Sequence, residues 1–218
     1  MHTLTRKTYT LAICLSALAG CVDAIGFLHL GGYFISFMSG NSTRLAVEMV
    51  AAQRSGVMLV GAILGLFVIG TMLGTLVRHF SKAGSGIVTV LAFVTMLLIA
   101  AAMSYEMGWG FLAIGFMTLA MGAENAVFQR NGEVVVGLTY MTGTLVKVGQ
   151  RLAGTILGGP AFAWAPYLLL WLGLIAGGVA GTLLFQHLGL HSLWVAVLWA
   201  ASLTLITGLL RHRIGEMG

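Results

Sequence analysis

The sequence predicts an all-α membrane protein with six transmembrane helices in two inverted three-span halves. Each half carries a glycine-broken segment that is re-entrant or discontinuous. Three observations predict this: the composition, the length of the apolar runs, and a motif that occurs twice.

The 218 residues are 59% hydrophobic and only 8% charged, with a mean hydropathy of +1.00. A soluble domain carries about 25% charged residues. So few charges cannot cover a globular surface, so the outer solvent is lipid. The apolar runs are long and lack the alternation of barrel strands, which selects helices. The 31 glycines and two prolines fit helices packed closely in a bilayer. The net charge of +5 is no signal for nucleic acid, because orientation in the membrane explains the basic residues.

A span needs about 20 mostly apolar residues. Six runs qualify, at 8–29, 57–79, 86–105, 109–128, 164–186 and 192–210. The first follows a basic start and contains "LAGC", which also fits a lipoprotein cleavage box at Cys21. The apolar stretch continues past Cys21 through "VDAIGFLHL", which favours a span. Cys14 and Cys21 lie seven apart on that helix, about 10 Å, too far for a disulfide. Trp109, Trp164 and Trp194 fall near span ends, as an interfacial belt requires.

Two segments remain, 33–54 and 131–157. If both return to the side they came from, Arg6, Lys7, Arg78, Lys82, Arg130, Lys147, Arg151, Arg211 and Arg213 are cytoplasmic, and only Arg44 and Arg54 lie outside. If both cross, the bias falls to six inside against three outside, with Arg44 and Lys147 in the membrane. The positive-inside rule prefers the first topology, with both termini cytoplasmic.

The repeat sets Asp23-Ala24 against Asn125-Ala126 and, one residue of slippage later, Phe37-Met38-Ser39-Gly40 against Tyr140-Met141-Thr142-Gly143. Arg44 then falls on Lys147. The following spans share small-xxx-small faces, "GAILG" and "GTMLG" within 61–74 and "GLIAG" and "GGVAG" within 173–181. The offset of about 102 residues holds three spans, and an odd number inverts the second copy. The expected halves are 1–107 and 108–218.

Within each broken segment the sequence predicts an extended approach, a glycine break and a short helix. Gly40 permits the bend, and Asn41, Ser42 and Thr43 are good helix starters. Arg44 and Glu48 then form an i,i+4 pair. In the second copy Gly143-Thr144 starts a similar helix. An unwound turn survives in a membrane only if it is buried in protein or lines water. Its free amides and helix dipole create a positive spot. The expected solute-binding residues are therefore Ser39, Gly40, Asn41, Ser42, Thr142, Gly143 and Thr144. The bland alternative is that these turns only allow tight packing. Asp23 and Glu124 are carboxylates in spans, and the expected partners are Arg44 for Asp23 and Lys147 for Glu124, with Asn125 beside the second pair. Such pairs act in ion coupling or as clamps that hold each broken segment to its span.

No Walker loop, zinc-spaced cluster, nucleophile elbow or haem pair occurs, so no cofactor, metal or catalytic residue is expected, and the chain is not expected to be an enzyme. The expected function is a small-solute secondary carrier or channel with a midplane site, weakly favouring an anionic or polar solute. The alternative is a non-transporting scaffold or regulatory subunit. The lipid bilayer is the first partner, with a homodimer through the glycine faces as a further expectation.

"GCVDAIGFLHLGGYFISFMSGNSTRLAV", "AMGAENAVFQRN" and "YMTGTLVKVGQ" resemble the YoaK-like family of bacterial membrane proteins, a family of unknown function. The matching pieces are Gly20, Asp23 and Ala24, the turn Met38–Asn41, then Met121, Gly122, Asn125 and Ala126, and the turn Met141–Thr144. The resemblance implies a bacterial cytoplasmic membrane and about six spans, and it makes Cys21 part of a span. Glu124 stands where the family more often has an uncharged residue, so the resemblance implies no family-wide role for it.

Overall fold

The computed structural model describes residues 6–82, 84–130, 133–134 and 137–210. The expectations on Arg211 and Arg213, and on the side chains of Arg6, Lys7 and Arg130, lie outside what it describes. The helices are α1 (Arg6–His29), α2 (Met38–Val50), α3 (Arg54–His79), α4 (Gly86–Glu106), α5 (Gly110–Glu124), α6 (Met141–Ile156), α7 (Ala165–Leu188) and α8 (Leu193–Leu209). Two 3-10 turns, Asn125–Phe128 and Gly189–Ser192, follow α5 and α7. Gln129–Arg130 and Glu133–Val134 form a two-residue antiparallel ribbon with Gln129 opposite Val134.

Five stretches are long and apolar enough to cross a bilayer: Thr8–His29, Arg54–His79, Gly86–Glu106, Gly110–Phe128 and Ala165–Leu209. The last, 45 residues long, holds both α7 and α8. They are separated at Gly189, whose φ of 56° is a backbone state that a side chain disfavours. The core is mostly apolar, with Ser16, Thr118, Glu124 and Asn125 among the few polar side chains buried in it, and α1 and α5 are its most buried members. Large apolar side chains cover the outside, among them Val68 and Met72 on α3 and Leu198 and Leu205 on α8. Lipid is the solvent that such a surface fits.

Helices in lipid gain little from burying apolar area, so close backbone packing has to hold them. Glycine supplies it here. On α7, Gly173, Gly177 and Gly181 lie against the backbone of Ile13, Ala17 and Cys21 on α1. The pair runs parallel, and Ser16 Oγ donates to the Leu170 carbonyl across it at 3.0 Å. On α3, Gly70 and Gly74 lie against Leu119 and Ala123 on α5. That pair is parallel too, and Thr71 Oγ1 donates to the Gly122 carbonyl at 3.2 Å. By contrast α4 runs against α8. Glu106 meets His191 at 2.9 Å and Trp194 at 3.1 Å, Thr95 meets Thr204 at 3.1 Å, and Gly208 faces Val88.

The α1–α7 and α5–α3 contacts correspond residue by residue. Gly20 lies on Leu174 as Gly122 lies on Phe67, Gly177 on Ala17 as Gly70 on Leu119, and Gly181 on Cys21 as Gly74 on Ala123. The short helices follow the same scheme, since α2 packs on α3 and α6 on α7.

Candidate functional site

Chain direction changes between α1 and α2 at Gly31 and Gly32, with φ of 67° and 111°. The segment that follows folds back along α1. Asp23 Oδ1 accepts the backbone N–H of Ile35 at 2.7 Å and of Ser36 at 2.6 Å. Asp23 lies six residues before the end of α1, about 9 Å along the helix, so the chain has dipped inward by that much. The side chain of Asn41 continues the fastening, because its Oδ1 accepts the Phe34 N–H at 3.0 Å and its Nδ2 donates to the Phe34 carbonyl at 2.7 Å. Asn41 is fully buried, and its amide acts as a strand partner for Phe34.

A weaker version of this arrangement fastens the chain ahead of α6. Thr139 Oγ1 donates to Asn125 Oδ1 at 3.2 Å, and Asn125 Nδ2 donates to the Met121 carbonyl at 3.0 Å. Thr144 Oγ1 turns back to the Tyr140 carbonyl at 3.3 Å. Thr144 is buried as Asn41 is, and Leu138 is buried as Ile35 is. Ile35 and Leu138, and Asn41 and Thr144, which the sequence alignment sets in register, are thus buried alike.

Three expectations need correction. The short helices do not begin after a glycine break. They begin at Met38 and Met141, so Gly40 and Gly143 lie inside the first turn. Gly40 has no positive φ and instead gives clearance to the rings of Phe37 and Phe34, while Gly143 faces open space. The bend belongs to Gly31, Gly32 and the Asp23 contacts. Second, Asp23 does not pair with Arg44. Two backbone amides a few ångströms away cost less side-chain entropy than a long guanidinium. In addition, α2 carries Arg44 six residues, about 9 Å, from its own start. The Arg44 guanidinium lies 4.7 Å over the Tyr33 ring and 4.0 Å from Glu48 Oε1. The i,i+4 pairing with Glu48 thus holds at its outer limit. Third, Glu124 does not pair with Lys147, whose Nζ lies 5.6 Å over the ring of Tyr167. Glu124 is fully buried, and neither carboxyl oxygen has a hydrogen-bond partner among the described residues.

The remaining site residues are open. Ser39, Ser42 and Thr142 are exposed on their helices. Ser42 Oγ donates to the Met38 carbonyl at 2.8 Å, which leaves its lone pairs outward.

Sequence reasoning missed Tyr33, Gly56 and Arg78. Tyr33 donates its hydroxyl to Glu48 Oε1 at 2.7 Å, and that bond first, with some burial, holds the phenol above its ordinary range. Gly56 on α3 leaves room for the Glu48 carboxyl. Arg78 donates to the Val127 carbonyl at 2.7 Å. Only Tyr33 had a signal, as an aromatic residue beside a Gly-Gly turn ahead of a charged helix. Among the described residues, no three His, Cys, Asp or Glu side chains group as a metal site would require.

A bundle of apolar helices with two short helices fastened onto it is a transmembrane protein. The chain belongs to the family described as Protein of unknown function (DUF1275), whose pattern matches residues 11–206. It is 35% identical over 194 residues to "UPF0700 transmembrane protein RA0705" of Rhizobium meliloti (strain 1021), covering 89% of this chain and 83% of that one. It is 27% identical over 159 residues to "UPF0700 transmembrane protein YoaK" of Bacillus subtilis (strain 168), covering 69% of each. No solved structure matches the chain.

Proposed function

We propose that this protein is a small-solute carrier or channel of the bacterial cytoplasmic membrane, with six crossings and cytoplasmic termini. Residues 1–107 and 108–218 form halves related by a two-fold axis in the membrane plane. Helices α2 and α6 enter from opposite faces and return, and their N-terminal turns border the path. Ser39, Ser42 and Thr142 supply its polar groups, while the buried Asn41 and Thr144 hold the turns themselves. Asp23 and Asn125 act as fasteners that hold those turns in place, and the protein catalyses no covalent reaction.

The observation that carries this reading is the sense of the helix packing. α1 runs with α7, α3 runs with α5, and α4 runs against α8. These senses hold together when both α2 and α6 turn back. If both crossed, α4 and α8 would run the same way; if only one crossed, α1 and α7 would oppose each other. The first turns of α2 and α6 then lie below opposite surfaces, each with unpaired amides at a positive helix end. That chemistry suits a polar or anionic solute. The exposed hydroxyls of Ser39, Ser42 and Thr142 at this depth favour water over lipid.

One observation favours the alternative, a scaffold or regulatory subunit. Among the described residues nothing lies within 4 Å of a Cβ at Gly61 or Gly65 of α3, so "GAILG" is a close-packing face without a partner there. A second copy or another subunit would use it.

Cysteine accessibility separates the two. With Cys14 and Cys21 replaced by alanine, Ser39→Cys should react with a small impermeant thiol reagent from outside, and Thr142→Cys from inside. If neither reacts in folded protein, the turns are dry packing joints and the scaffold reading replaces the carrier.

A further inference from the structure

A small-solute carrier as proposed gives Glu124 no role, although burying its carboxyl group is costly. Its surface is fully buried, and both carboxyl oxygens lack a hydrogen-bond partner among the described residues. Its neighbours Met121, Ala123 and Val127 all belong to the apolar core. An ionised carboxylate in such a place would lose its hydration with nothing in return. The equivalent position in the first half is Val22, which is equally buried, so packing there does not need an acid.

The surroundings are built for rearrangement. Regular α-helix ends at Glu124, and the chain continues as a 3-10 turn over Asn125–Phe128. Such a change of helix type often marks a hinge. Asn125, the next residue, holds Thr139 and so the approach to α6. One turn beyond Gly74 on the facing helix, Arg78 spends its guanidinium on the Val127 carbonyl. The other titratable side chains described on elements packed against α5 are Arg54 and His79 on α3, Tyr9, Cys14, Cys21, Asp23 and His29 on α1, and Tyr105 and Glu106 on α4, and the 3-10 turn has none. Arg54 lies at the opposite end of α3, His79 is exposed with its ring against Phe80, and the His29 ring lies against Phe185. Asp23 is already taken by Ile35 and Ser36, and Glu106 by His191 and Trp194 at the far end of the bundle. Arg78 is therefore the cation available to Glu124.

We propose that Glu124 is a proton-binding site: it carries a proton in this conformation and releases it in a second one, where Arg78 leaves the Val127 carbonyl for the carboxylate. The exchange shifts the 3-10 turn and, through Asn125 and Thr139, the start of α6. This deepens the carrier reading, on which the use of that proton as a coupling ion rests. The site itself does not depend on it.

The test is labelling of the full protein in membranes with dicyclohexylcarbodiimide, which adds to a carboxylic acid and not to a carboxylate. The wild type should give an adduct mapped by mass spectrometry to the Glu124 peptide. Its yield should fall several-fold from mildly acid to mildly alkaline pH, and Glu124→Gln should remove it. In Arg78→Gln the ionised form loses its partner, so labelling should persist at alkaline pH. Absence of the adduct in the wild type, or a yield that does not change with pH, overturns the proposal by making Glu124 a sealed packing group. Identical pH curves for wild type and Arg78→Gln overturn the exchange. Failure of the carrier reading looks different: cysteines at Ser39 and Thr142 stay unreactive whatever Glu124 does.

Discussion

Gly177→Val should leave almost no folded protein in the membrane, and Gly70→Val should do the same from the other half. A Cβ at Gly177 would collide with the Ala17 backbone, and one at Gly70 with the Leu119 backbone. Neither obstacle is a side chain that can swing away. Either α7 separates from α1, or α3 from α5, along its whole length. The cost is about 4 kcal/mol or more, because every contact above and below loosens with it. Gly65→Val on the same α3 helix is the control, since nothing lies within 4 Å of Gly65. It should fold as the wild type does. Detergent extraction followed by size-exclusion chromatography measures this. Normal recovery of Gly177→Val would contradict the packing described for α1 and α7.

Asp23→Ala should be the most damaging change outside the glycine contacts. It strands the Ile35 and Ser36 amides, both on buried residues, and each buried unmatched donor costs about 1–3 kcal/mol. The expected loss is therefore about 2–6 kcal/mol, read as a lower Tm in detergent. Asp23→Asn keeps an acceptor and should recover at least half of that loss. Asn125→Ala should cost less, because it strands one hydroxyl, that of Thr139. Arg44→Ala should leave the Tm closer to wild type than Asp23→Ala does. The reverse order would restore the Asp23–Arg44 clamp that the sequence predicts.

The helices were legible because a bilayer imposes one length and one polarity on each span. The expected spans at 86–105 and 164–186 end within two residues of α4 and α7. The repeat is proposed from sequence because Asp23 and Asn125, Met38 and Met141, and Arg44 and Lys147 stand in the same order. What sequence could not supply is the choice among competing partners. Nothing in the spacing says that Asp23 will find two amides before it finds Arg44. The glycines teach the same lesson. "GAILG" and "GTMLG" read alike, yet Gly70 and Gly74 carry a helix contact while Gly61 and Gly65 face outward. Gly40 reads as a hinge, yet it serves the rings of Phe34 and Phe37. Each of these depends on what another part of the chain brings alongside.

The central claim is that α2 and α6 turn back rather than cross. It is tested most directly by single cysteines at Gln53, between α2 and α3, and at Ser81, between α3 and α4, each in a chain without Cys14 and Cys21. Both native residues are accessible enough to label. Given the cytoplasmic N-terminus proposed above, checked by the same labelling of a cysteine added at the N-terminus, returning segments place Gln53→Cys outside and Ser81→Cys inside, so an impermeant thiol reagent added to intact cells should label the first and spare the second. The opposite pattern, Ser81→Cys labelled and Gln53→Cys protected, would mean that α2 crosses the membrane, and the inverted arrangement with its opposed half-helices would fall.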